Sequence, residues 1–557
     1  LFFLVFILGY TLFFPQSVMA QTAGQANIFS DIANHWAQES INTWLERGYV
    51  RGYPDGKFKP DNSITRAEFC ALLNRVFGYN KRVSFLSFAD VPEGKWFSKE
   101  IHKAVTAGYL ASDPGGKMRP NEEITRQEVA VILTKILSLA AAPRDLYSKF
   151  EDLGQLTLGE AMAINSVLNK NYMRGYNNEL FQPHKGITRA EILTTLDRVV
   201  GTLYDYPGVY GTAYDKLVLN GNVTINTSNV TLRNVTITGD LNLTEGIGEG
   251  YVTLVNVTVK GVTKVSGGTM FNDCIFGTLV VAKANNNNIR LLAQGTTRMD
   301  FADVRTAAKL EEVNLVGTGF NDVAFNVPQG TKVELQGNFK KVDLKGSDIK
   351  LDFSRGTIEN LNLPLAARGA KVNLASSTHL KNLKIINRAT ITGWGTIDRA
   401  DVYANGVTFE SAPHTLKVAA GVSATVRGRT VSGTQTTAKR VVPLFVDNYP
   451  RVTNIKRKGF DLLLKADENC KAYYVVLHSS ERVPAATQVM AGEDATGRLV
   501  TSNRCGWVNL TAYNEKRITI KELGTDVRYN IFIVLENRGV SVEPAVTKLT
   551  VRTAAAD

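Results

Sequence analysis

Three arginines recur in one setting: Ile64-Thr65-Arg66-Ala67-Glu68, Ile124-Thr125-Arg126-Gln127-Glu128 and Ile187-Thr188-Arg189-Ala190-Glu191. A guanidinium presents a planar fork of N–H donors that matches a carboxylate, so these positions suggest capture of an anionic group. Their neighbours have structural work. Threonine followed three residues later by glutamate is a capping box, in which two side chains satisfy orphan backbone donors of a helix start. Ile64 with Phe69, Ile124 with Val129 and Ile187 with Ile192 have the spacing of a hydrophobic staple. The arginine falls on the first helical position, where a positive charge opposes the helix dipole by roughly 0.3–1 kcal/mol. Recurrence against local electrostatics marks Arg66, Arg126 and Arg189 as candidate ligand contacts, a surface salt bridge being the alternative for each.

The elements that must position them also repeat. Before the first box comes a turn-rich loop, Gly52-Tyr53-Pro54-Asp55-Gly56, and before that Phe29, Asp31, Trp36 and a helical pattern through Ile41, Trp44 and Leu45. The second unit has Phe88, Asp90 and Trp96, with Ser112-Asp113-Pro114-Gly115-Gly116 in the loop. The third has Phe150 and Asp152, with Leu158 near the place of a tryptophan, then Gly175-Tyr176 followed by Asn177-Asn178-Glu179. Helix, loop and capped helix thus occur three times.

This ordered series resembles the surface-layer homology (SLH) domain, in units spanning residues 28–84, 85–142 and 147–203. The resemblance implies an α-helical, three-pronged pseudo-trimer on a Gram-positive-type envelope. Its grooves would bind secondary cell wall polysaccharide, often pyruvylated. Carried onto this sequence, it assigns ligand contact to Arg66, Arg126 and Arg189, together with Gly52, Tyr53, Asp55, Tyr176, Trp36 and Trp96. For the two tryptophans, packing and sugar stacking are both open. Only the first unit keeps the whole loop, so unequal grooves are expected, with Arg66 the foremost contact.

Other chemistry is thinly represented. Six histidines are scattered and no Cys/His spacing suits zinc, so no metal or cofactor is expected. Asp300, Asp303 and Arg305, or Asp398, Arg399 and Asp401, form local clusters of the kind that solvated turns carry, and no catalytic set is assigned. Of four cysteines, Cys70 and Cys274 read as small core residues, while Cys470 and Cys505 share a domain and could pair. The net charge of +12 suits an anionic wall polymer, and no nucleic-acid motif is present. The apolar run from Leu1 to Phe14, with Val18 and Ala20 ahead of Gln21, reads as a signal peptide over residues 1–20, a retained anchor being the alternative. Once it is removed, no membrane span is expected.

After Gly201 the composition turns to valine, threonine, asparagine and glycine. Residues 234–239, 256–261 and 272–277 share a template of asparagine, strand and glycine, and later strands keep a period near 20. This predicts a right-handed parallel β-helix-like solenoid over residues 215–430, with asparagines stacked as a ladder, in preference to paired sandwiches. Residues 204–214 and 431–439 read as linkers. Seven short strands then predict a β-sandwich over residues 441–555, with Leu523-Gly524-Thr525 before Tyr529 resembling a corner of fibronectin type III modules.

The multidomain reading is a secreted, non-catalytic S-layer-type protein held to the cell wall by its SLH units, with self-assembly or an outer protein or glycan partner at the far end. A wall-anchored polysaccharide lyase or hydrolase using the β-helix, or an adhesin, is the alternative.

Overall fold

Each capping box forms. In the computed structural model, which describes residues 29–83, 87–139, 149–176, 179–286, 288–432, 436–437, 443–536 and 544–555, Thr65, Thr125 and Thr188 accept from the backbone N–H of Glu68, Glu128 and Glu191. Each glutamate returns a carboxylate oxygen to its threonine's N–H at 2.9–3.0 Å. The helices so started are α2 (Arg66–Phe77), α4 (Arg126–Leu137) and α6 (Arg189–Val200). Preceding them are α1 (Gln38–Glu46), α3 (Ser98–Thr106) and α5 (Leu158–Asn169). α5 has a fourth capping box, Thr157 with Glu160, that the triplicate pattern does not announce.

The three units close on one another. Ile64 N–H donates to the Ile187 carbonyl at 3.0 Å, Ile187 to Ile124 at 3.0 Å, and Ile124 back to Ile64 at 3.1 Å. All three side chains are buried, so the expected staple residues also form the central junction of a pseudo-trimer. Asp31, Asp90 and Asp152 have a matching task. Each carboxylate accepts from two consecutive loop N–H groups: Phe58 and Lys59, Met118 and Arg119, Phe181 and Gln182. These bonds hold Lys59, Arg119 and Gln182 at φ of 58°, 53° and 55°, a left-handed conformation that L side chains rarely adopt. Burial would raise the pKa of Asp31 and Asp90, but the backbone N–H groups outweigh it and both lie below the usual carboxylate value.

From Thr202 the chain forms a parallel β-solenoid of about 12 turns around a single core of valine, isoleucine, leucine and phenylalanine. It starts earlier than expected. Thr202–Tyr204 and Gly208–Gly211, within and beside the presumed linker, already pair in parallel with Val223–Ile225 and Val230–Ile237. These strands are too short to show alternation in sequence. Part of the second linker is also strand: Arg429–Ser432 and Thr436–Thr437 pair antiparallel with the final coils and cover that sheet edge.

The asparagine ladder exists over two coils: Asn256 Nδ2 donates to Asn234 Oδ1 at 2.8 Å, both residues having φ near 52°. On the next coil the left-handed position passes to Asp273, one residue beyond the template's Asn272, and its Oδ1 accepts from Thr296 N–H.

The seven expected C-terminal strands form sheets of three and four, whose inner faces share a core including Phe460, Leu462, Tyr529 and Ile531, as in a β-sandwich. Gly524 N–H donates to the Tyr529 hydroxyl at 2.8 Å, pinning the corner. A short helix, Ala486–Ala491, was not anticipated. Cys470 lies opposite Leu510 and Cys505 opposite Val475 on the same pair of strands, so five residues of strand separate the sulfurs and both thiols are free. The presumed signal peptide lies outside the described residues, among which no helix is long and apolar enough to cross a membrane.

Candidate functional site

Arg189 does not face its own unit's loop. At the first position of α6 its side chain points back past the cap and enters the loop of the first unit. Nε donates to the Phe58 carbonyl at 2.9 Å and Nη2 to the Arg51 carbonyl at 2.9 Å. The guanidinium lies over the rings of Tyr53 and Phe58, 4.7 and 4.4 Å from their centroids. Tyr53 Oη donates to Glu68 Oε1 at 2.8 Å and stands 3.4 Å from Arg189 Nη1. Lys59 Nζ completes the rim, 4.6 Å from the Tyr53 centroid and 2.7 Å from Asp55. Gly52 sits where a Cβ would come within 2.2 Å of the Phe29 ring, so the loop lies directly on that aromatic.

Arg126 repeats the arrangement against the third unit. It donates to the carbonyls of Phe181 (2.9 Å) and Arg174 (2.5 Å) and covers Tyr176 and Phe181. The Tyr176 hydroxyl bonds to Glu191, and Lys185 lies over the same ring. Burial, reinforced by that carboxylate, pushes the Tyr176 phenol up to about 12, so it remains a hydrogen-bond donor.

Arg66 enters the second unit, where the groove differs. Nε donates to the Met118 carbonyl, but Asp113 stands in the place of the tyrosine. Without a phenol to bond, Glu128 takes Arg66 at 2.5 Å and Arg119 at 3.0 Å. Against burial, the Thr125 N–H and then Arg66 hold the Glu128 carboxyl below its usual value.

Two expectations change here. The arginines are buried and structurally bonded, because a guanidinium can satisfy loop carbonyls across a unit boundary and so offset its poor position on the helix dipole. The loop that keeps the full signature belongs with Arg189, not Arg66, because each arginine reaches into the loop of the next unit in the cycle. Gly52, Tyr53 and Asp55 therefore meet Arg189, and Tyr176 meets Arg126. Trp36 and Trp96 are 63% and 60% exposed, lying against His35 and Phe97, which excludes a core role. Leu158, in the corresponding place of the third unit, is also exposed. Sequence reading passed over the second task of the capping glutamates, to bond the tyrosine hydroxyl or the rim cations. The recurrence of Lys59 and Arg119 at one loop position was the available signal.

Residues 28–70, 87–130 and 161–193 match the family model described as S-layer homology domain. The chain carries three SLH domains. The amylopullulanase of Thermoanaerobacterium thermosulfurigenes is 30% identical over 29% of this chain and 9% of its own length. The S-layer protein of Bacillus thuringiensis subsp. finitimus is 29% identical over 33% of this chain and 23% of its own length. This chain thus spans a minor part of these relatives, and the similarity is confined to a fraction of each. Among solved structures, the cell-surface-expressed chitinase ChiW of Paenibacillus sp. str. FPU-7 aligns over 51% of this chain and 24% of its own, at 21% identity and a TM-score of 0.26. SLH domains anchor proteins to the cell wall, and with the S-layer relatives they place this chain at the cell surface or cell wall. Among the described residues no His, Cys, Asp and Glu side chains are grouped to hold a metal ion.

Proposed function

We propose that the chain is a non-catalytic surface protein, held by its SLH domains to an acidic secondary cell wall polysaccharide and displaying the solenoid and sandwich outward. The observation that carries this reading is the pairing of Arg189 with Tyr53 and of Arg126 with Tyr176. Each places a guanidinium, an aromatic face and a second cation, Lys59 or Lys185, around one groove. A sugar carboxylate would take the cations and the sugar ring the aromatic face. Exposed Trp36 and Trp96 offer further stacking surface. Grooves one and three are the binding pair. Groove two, with Glu128 already neutralising two arginines, binds weakly. Two engaged grooves give avidity that neither has alone. The sandwich, in this reading a fibronectin type III-like module, serves as a spacer.

The test is sedimentation of the full chain with purified wall before and after its secondary polymer is stripped. Retention on native wall and release from stripped wall is the expected result. Equal retention on both overturns the assignment.

A further inference from the structure

The solenoid contains a cleft that the wall-binding reading does not use. Gly337 and Gly356 turn two successive coils within the continuous strands Lys332–Leu344 and Lys350–Leu363, at φ of 140° and 109°. The coil before them turns through a wider corner at residues 316–318, between Ala308–Leu315 and Gly319–Phe325. A projecting corner followed by two tight ones leaves a recess of about 800 Å³, within the size range of small-ligand sites.

Its wall is built around Glu312, a carboxyl only 6% exposed. Oε1 accepts from Phe320 N–H at 2.9 Å and Oε2 from Asn338 N–H at 2.6 Å. A Cβ at Gly319 would fall 2.0 Å from Oε1 and one at Gly337 2.5 Å from Oε2, so two glycines make room for this one side chain. Burial raises the Glu312 pKa to about 7, against those two N–H bonds, and both of its oxygens are taken by backbone donors rather than by nearby cations. Those cations are Lys340, Arg355 and Lys381. Lys381 is paired with Glu359 at 2.9 Å. Elsewhere on the solenoid surface Arg298, Lys332, Lys341 and Arg399 each hold a carboxylate two residues along their own strand. Lys340 and Arg355 line the cleft, are exposed, and have no ion-pair partner among the described residues.

We infer that this cleft binds a carboxylated glycan segment, whose carboxylate is held by Arg355 and Lys340 and whose hydroxyls bond Asn338 and the Lys381–Glu359 pair. Arginine supplies the fork and lysine the point charge that a sugar carboxylate requires. At a cell surface, soluble and wall-linked acidic glycans are among the polyanions within reach. The site is separate from the SLH grooves and gives the displayed part of the chain a ligand of its own.

The probe is a galacturonic acid pentamer, titrated calorimetrically into the full-length protein at low and at physiological salt, with maltopentaose as the uncharged comparison. Saturable binding of the pentamer, none of maltopentaose, and at least tenfold weakening in Lys340→Ala/Arg355→Ala are expected. Because both side chains are exposed, the double variant should melt as wild type does. Arg368→Ala/Lys371→Ala, which removes two exposed cations elsewhere on the solenoid, should leave the affinity unchanged. Absence of pentamer binding, equal binding by Lys340→Ala/Arg355→Ala, or equal weakening by the control pair overturns the inference. Loss of pentamer binding on Arg189→Ala would also overturn it, by assigning the ligand to an SLH groove.

Discussion

The guanidinium of Arg189 lies 4.7 Å from the ring centroid of Tyr53, a residue 136 positions earlier in the chain. One side chain therefore closes the cycle of three units and packs on the loop of the first. It also satisfies the carbonyls of Phe58 and Arg51. The ligand contact proposed for Arg189 therefore cannot be removed without loosening the scaffold.

Arg189→Lys tests that double role. Lysine retains the charge but has no fork to bridge two carbonyls and stack on two rings. A buried polar group left without a partner costs about 1–3 kcal/mol. The variant should lose stability of that order and also bind wall more weakly. Arg66→Lys should lose stability comparably while wall binding changes little, because Glu128 already occupies that arginine. Denaturant midpoints and wall sedimentation, measured on the same preparations, separate the two effects. Equal loss of wall binding in both variants would contradict the ranking of the grooves.

Groove two also permits a gain-of-function test. Ser112 and Asp113 stand where the other units have Gly52-Tyr53 and Gly175-Tyr176. In those units a Cβ on the glycine would collide with Phe29 or Phe150 at 2.2 or 2.1 Å. In the second unit Phe88 instead lies against His102, with centroids 5.9 Å apart. Ser112→Gly/Asp113→Tyr removes an acidic side chain and supplies a phenol that can take Glu128, freeing Arg66. Retention on wall in rising salt should improve by several-fold. Unchanged retention would mean that the tyrosine is not what makes a groove competent.

Much of this was legible in sequence where the determinants are local. The capping boxes lie within four residues, and the C-terminal strands announce themselves by alternation and turns. The partners of Arg66, Arg126 and Arg189 were not legible, since the carbonyls they bind lie 48 to 138 residues away and carbonyls carry no side-chain signature. A capping box reveals where an arginine starts, not which unit it enters. The first solenoid coil was hidden because strands of three and four residues fall below any detectable period. The slip from Asn272 to Asp273 was hidden because either side chain tolerates a left-handed backbone. The cleft at Glu312 arises from a difference in corner width between successive coils, a property of stacking that no single segment contains.

Glu312 makes the solenoid's stability depend on pH in a direction opposite to the usual carboxylate. Its pKa rises from 4.5 to about 7 in the folded protein, so the native state binds this proton more tightly than the unfolded chain does. The associated stability is fully present below the unfolded value near 4.5 and is lost as pH rises through about 7. At 1.36 kcal/mol per unit, the loss amounts to about 3 kcal/mol for a group this deeply buried. Glu312→Gln removes the titration. Its amide would turn an N–H toward Phe320 or Asn338, so the variant should be less stable than wild type at pH 5. The informative quantity is the slope: between pH 5 and 8 the wild-type denaturant midpoint should fall more steeply than that of Glu312→Gln, and the two should converge at the alkaline end. Parallel profiles would show that Glu312 titrates as an ordinary surface carboxylate does.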